Sequence, residues 1–165
     1  MKNFDALLSL QTWLVLLIVI ATGCQQPGSG TVVPDEFFET LVFEPLGQGF
    51  SAQVPDTVEA VFLDEDSWNE FAERLNPIGT LRDPDFEQMM VIVAVVPANS
   101  GGYGIAFDSV DLIDGEIVAT YTISRPGLDC VTISALTQPF QAISVPRSED
   151  RVTFQRKSVR ESCSV

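Results

Sequence analysis

Histidine is absent from the 165 residues. That removes the most frequent general base, every Ser-His or Cys-His nucleophile pair, and the usual zinc ligand. Serines are plentiful but none has a base to activate it, so the sequence reads as a non-enzyme with no catalytic residue, metal or cofactor. Cations are scarce too: nine Lys and Arg stand against 23 Asp and Glu, a net charge of −14. Nucleic-acid binding rests on neutralising phosphates with Lys and Arg, so this balance argues against a nucleic-acid partner and against hugging an anionic bilayer. Long apolar runs are also missing. The strongest, Leu14 to Ala21, has eight residues, and the looser stretch Leu7 to Ile20 has fourteen with Ser9, Gln11 and Thr12 inside it. A spanning helix needs about 18 or more.

What is present at the N-terminus is a secretion signal. Lys2 leads into the apolar stretch, whose length fits a signal h-region, and Ala21-Thr22-Gly23-Cys24 follows. Small residues before a cysteine at the end of an h-region resemble a bacterial lipobox, in which cleavage precedes a lipidated cysteine. The expectation is a lipoprotein signal peptide over residues 1–23, lipidation at Cys24, a flexible tether over 24–35 (rich in Pro, Gly and Ser) and one folded domain over 36–165. An uncleaved anchor and simple secretion are the alternatives. One acyl chain holds a protein only marginally and two suffice, so multiple chains would keep this one on a membrane. Gln25 in place of the Asp that marks inner-membrane retention leans toward the outer membrane. The location is thus the cell envelope.

The 142 residues from Cys24 onward are enough for one domain with a core. Charge within them is uneven. Asp35 to Glu116 holds eighteen acids against Arg74 and Arg82, whereas Ile117 to Val165 holds four acids and six bases. The acidity serves solubility or meets a basic partner. The late cluster Arg147, Arg151, Arg156, Lys157 and Arg160 points the opposite way, but Glu149 and Asp150 interrupt it. Cys130 and Cys163 are the pair left after Cys24, and an envelope location is oxidising, so they read as a disulfide. Closing a loop of about 34 residues would stabilise by about 3–4 kcal/mol in the chain-entropy view.

Alternation of apolar and polar residues predicts strands over Thr40–Glu44, Val58–Leu63, Met89–Val96, Tyr103–Leu112, Ile117–Ile123, Cys130–Ala135, Phe140–Val145 and Val152–Gln155. Met89–Val96 is apolar on both parities, as in a central strand covered on both faces. The parity of the next strand breaks at Asp108-Ser109, which predicts a bulge, and Asp114-Gly115 predicts a tight hairpin. One helix is expected, with Asp64 as N-cap, Glu65 and Asp66 in its first turn, and Trp68, Phe71, Ala72 and Leu75 on one face. The fold class is therefore mainly β (α+β): an antiparallel meander sheet or sandwich with one packed helix. Asp64-Glu65-Asp66 lacks the Gly and distal Glu of a calcium loop, and Asp83 and Asp85 read as solvated loop residues.

Ser100-Gly101-Gly102-Tyr103 is the most specific internal motif. Paired glycines before an aromatic strand start supply positive φ and let another backbone approach. No Lys or helix start follows, so it is not a phosphate cradle. A structural turn and a recognition loop both remain open.

Taken together, Trp68 on a capped helix, a buried strand, Ser100-Gly-Gly-Tyr103, Gly127-Leu128-Asp129-Cys130, Thr137-Gln138-Pro139-Phe140 and Ser144-Val145-Pro146 resemble the protease complex subunit PrcB family, C-terminal domain, over about residues 60–155. Members often have Thr where Ser100 stands and a Pro-Tyr-His-like segment where Pro139-Phe140-Gln141 stands. The resemblance implies a small bacterial envelope lipoprotein, named for one that accompanies a surface protease, and it supplies no catalytic residues. The expected function is a lipid-anchored accessory protein that binds a protein partner, a protease or another envelope protein, through the turn Ser100, Gly101, Gly102 and Tyr103. The alternative is a small-ligand or glycan-binding module using Tyr103, Tyr121 or Phe140.

Overall fold

A computed structural model describes residues 37–163. The expected signal peptide, Cys24 and the tether lie outside the described residues. The described residues cluster as one compact unit. Its strands are β1 (Phe38–Thr40), β2 (Glu44–Gly49), β3 (Ser51–Ala52) and β4 (Val58–Phe62), then the helix α1 (Glu65–Ala72). After it come β5 (Leu75–Asn76), β6 (Met89–Val95), β7 (Gly104–Ile113), β8 (Glu116–Pro126), β9 (Phe140–Pro146) and β10 (Arg151–Glu161). Two four-stranded sheets result, ordered β1-β7-β8-β10 and β2-β9-β6-β4, with a small β3-β5 ribbon.

The mainly β fold with one helix and antiparallel pairing follows the expectation. The connectivity is richer than a meander. β9 pairs antiparallel with β6 in one sheet, and β10 returns to the other sheet to run parallel to β8 over its whole length. Parallel neighbours need a crossover connection, and β9 with its flanking loops supplies it. The predicted strand Thr40–Glu44 is likewise a passage between sheets. β1 pairs with β7, β2 pairs with β9, and Leu41 and Phe43 between them pack into the core.

Burial makes three layers. Met90, Ile92 and Ala94 of β6 turn inward to meet Ile105 and Phe107 of β7 and Ile117, Ala119 and Tyr121 of β8. The opposite parity, Val91, Val93 and Val95, packs under Trp68, Leu75 and Leu46. Both faces of β6 are therefore covered, which is why its sequence is apolar throughout. Each such side chain contributes about 1.5–3 kcal/mol by leaving water.

The helix forms where capping chemistry and apolar spacing coincide. Asp64 has extended backbone and its Oδ1 accepts the Ser67 N–H at 2.8 Å. That bond holds the Asp64 carboxyl below its ordinary value. Trp68 sits edge-on to Phe62, centroids 5.5 Å apart, as a core anchor. The helix ends earlier than its apolar spacing suggests: Leu75 lies beyond it in β5, paired with Ala52. Two strand irregularities fall where the sequence places them. Register shifts between Phe107 and Ser109, and Asp114 and Gly115 take φ of 50° and 82° in the two-residue hairpin. Beside the bulge, the Phe107 N–H donates to the buried Gln141 Oε1 of the facing sheet at 2.6 Å. Among the described residues no buried side-chain N or O atom lacks a partner.

Candidate functional site

Cys130–Ala135, expected as a strand, is irregular. Both edges of β8 are already taken, by β7 and β10, so the chain leaving β8 cannot fold back to pair with it. It crosses the end of the sandwich to reach β9. Its apolar residues consequently stay in water: Leu128 is 93% exposed, Val131 102%, Ile133 70% and Leu136 88%. Singly exposed apolar residues are ordinary, whereas several on one segment mark a contact surface. Asp129 is the only charge between Gly127 and Pro139.

This segment is welded to the Ser100–Tyr103 turn. The Gly101 N–H donates to the Ile133 carbonyl at 3.0 Å, and Ala98 and Thr137 form an isolated antiparallel bridge. Thr137 Oγ1 donates to the Ser100 carbonyl at 2.9 Å. The glycines are required. Gly102 has φ of +84°, and a Cβ on Gly101 would lie 2.8 Å from Ile133 Cγ1, closer than carbon atoms pack. The turn is thus a fixed structural element, and Tyr103 behind it is half-buried against the core.

At its far end the segment is tied to β10. Cys130 and Cys163 are disulfide-bonded with Cα atoms 5.0 Å apart. Gly127 N–H donates to the Glu161 carbonyl at 2.7 Å, and Asp129 Oδ2 accepts the Cys163 N–H at 2.9 Å. Glu161 Oε1 accepts from Ser124 Oγ at 2.6 Å.

Two adjoining cavities open between turn, segment and β10. One, of about 470 Å³, is lined by Phe50, Gly101 to Gly104, Ser124, Ile133, Thr137 and Glu161. The other, of about 370 Å³, lies between Gly101-Gly102, Val131 to Ile133 and the disulfide. The structure therefore brings all four turn residues, or their backbone, together with both cysteines at one end of the sandwich. Sequence reasoning missed Phe50, Ile133 and Glu161. The first and last are remote in sequence, and Val131, Ile133 and Ala135 alternate with Thr132 and Ser134 in a pattern that imitates a strand.

Other candidates go elsewhere. Tyr121 and Phe140 are fully buried, so neither forms an exposed aromatic platform; the aromatic alternation that singled them out is core alternation. Tyr121 Oη donates to Glu59 Oε1 at 2.5 Å. Burial, then that hydrogen bond and the Glu59 charge, push the phenol well above its ordinary range. Asp64 is an N-cap, and Asp85 closes its own loop by accepting the Glu87 N–H at 3.0 Å.

No curated protein and no solved structure matches the chain. Residues 89–146 match the family model described as PrcB C-terminal, a narrower span than the resemblance read along the sequence. That span runs from β6 to β9 and includes the whole turn and the exposed segment. Over residues 89–146 the chain is similar to the PrcB C-terminal domain.

Proposed function

We propose that this protein is a lipid-anchored accessory subunit of the cell envelope that binds another protein, a surface or secreted protease, and acts by binding rather than catalysis. The family's protease-complex association supports the kind of partner. The anchoring at Cys24 and the outer-membrane location rest on the lipobox-like leader. The observation that carries the reading is the exposed run Leu128, Val131, Ile133 and Leu136, fixed by a disulfide and a glycine turn beside two cavities. Interface cores combine exposed apolar anchors with pockets held rigid before binding, and a pinned segment loses little entropy on docking.

Co-purification of the full chain from solubilised envelopes, comparing wild type with Val131→Asp and Leu136→Asp, tests this. A protease recovered with the wild type and lost from both variants is the expected result. Equal recovery with all three places the contact elsewhere. The second reading, a small-ligand module, is favoured by one observation: the larger of the two cavities has the volume of a ligand pocket and counts Tyr103 and Glu161 in its lining. Thermal-shift screening with glycans separates the two, since only the second predicts stabilisation.

A further inference from the structure

Strand β10 sorts its cations by face. Its register with β8 sets Val152, Phe154, Arg156, Ser158 and Arg160 on the parity of Ile117, Ala119, Tyr121, Ile123 and Arg125. Arg151 and Lys157 fall on the other face, and both have acids there: Glu116 at 3.7 Å and Asp108 at 3.7 Å. Arg125, Arg156 and Arg160 are exposed, and among the described residues none of them is ion-paired. Arg156 stands beside the Tyr121 hydroxyl. Arg125 and Arg160 are direct register partners, and neighbouring strands lie only about 4.8 Å apart. Like charges set opposite one another on a sheet are unfavourable. In a chain with eighteen acids between Asp35 and Glu116, these three guanidiniums form a cationic stripe with no direct ion pair among the described residues, Glu59 reaching Arg156 through the Tyr121 hydroxyl.

The same strand is a sheet edge. β10 is the outermost strand beside β8, so one row of its backbone N–H and C=O groups faces outward, a template for a further strand. We propose that β10 receives an extended acidic segment of a protein partner, which adds as a strand to its free edge and places carboxylates on Arg156, Arg160 and Arg125. Side chains alternate along such a strand, so the matching segment has acids four residues apart, in step with Arg156 and Arg160. The chain's own acidic surface disfavours unspecific capture of acidic proteins, which leaves recognition to this stripe. The surface is distinct from the apolar end face and stands whether or not that face is a docking site.

The test is fluorescence anisotropy of the full chain with a short labelled peptide of alternating Thr and Val carrying two Glu four residues apart, and with its Lys counterpart. Binding of the Glu peptide that weakens with salt, with no binding of the Lys peptide, is expected. Exposed ion pairs are individually weak, so Arg156→Gln with Arg160→Gln should weaken binding about tenfold. Lys157→Gln, on the opposite face, should leave it unchanged. Arg160→Glu should regain affinity for the Lys peptide, which covers loss of fold in the double variant. Equal binding of both peptides, or no binding, overturns the proposal. So does self-association of the Gln double variant without peptide binding by wild type, which would make the arginines guards against edge-to-edge pairing.

Discussion

Two segments of this chain are similarly apolar and have opposite fates. Met90 to Val95 in β6 is completely buried, while Leu128, Val131, Ile133 and Leu136 after β8 stand in water. Both carry the apolar periodicity of a strand, on two faces in β6 and on one in the later segment; pairing separates their fates. β6 has β4 on one edge and β9 on the other, with a layer over each face. The segment after β8 finds both edges of β8 occupied and is held by a bridge, hydrogen bonds to the turn and to β10, and a disulfide. Apolar alternation states that a segment can be a strand. Free ladder positions decide whether it becomes one.

The contrast can be broken by substitution. Ile92→Ala removes buried volume from the inner layer and should cost about 2–5 kcal/mol, read as a lower midpoint in urea unfolding. Were the loss under about 1 kcal/mol, β6 would not be the centre of the core.

The disulfide is the next strongest lever, because it fixes what the ladder does not. Cys130→Ser should destabilise by about 3 kcal/mol in the chain-entropy view and expose Gly127 to Ala135 to protease. Unchanged proteolysis would show that the turn alone pins the segment. Gly102→Ala, at φ +84°, should cost about 1–2 kcal/mol and loosen the same segment from its other end.

Tyr121 sharpens the comparison from the buried side. Its folded-state proton is held above the ordinary phenol value of 10.0. A raised value means the neutral form is favoured by folding, so its stabilisation is whole below pH 10 and drains away as pH climbs beyond it. Tyr121→Phe should therefore cost about 1 kcal/mol at neutral pH and flatten the alkaline loss of stability. An alkaline limb of unchanged steepness would assign it to other groups. The smallest effect belongs to Val131→Ser, within about 0.5 kcal/mol of wild type, although the same change should weaken partner binding.

Much of this was legible from residues alone, for reasons that are local. The cap at Asp64, the bulge at Asp108-Ser109, the hairpin at Asp114-Gly115 and the doubly covered β6 each depend on a few neighbouring residues and showed in their order. Cys130 and Cys163 paired by elimination. What was not legible is non-local. The parallel return of β10 beside β8 depends on β9 crossing to the other sheet. The sorting of Arg156 and Arg160 from Arg151 and Lys157 depends on that register. The site itself was half visible: the Ser100–Tyr103 turn announced itself through paired glycines, while Phe50, between β2 and β3, and Glu161, at the end of β10, reach the same cavity from far along the chain.

A photo-crosslinking residue at position 131, compared with one at Asp83 on a remote loop, tests the binding face most directly in intact envelopes. The account predicts a defined protein adduct from position 131, identified as a protease, and none from position 83. The same adduct from both positions, or from position 83 alone, would contradict it.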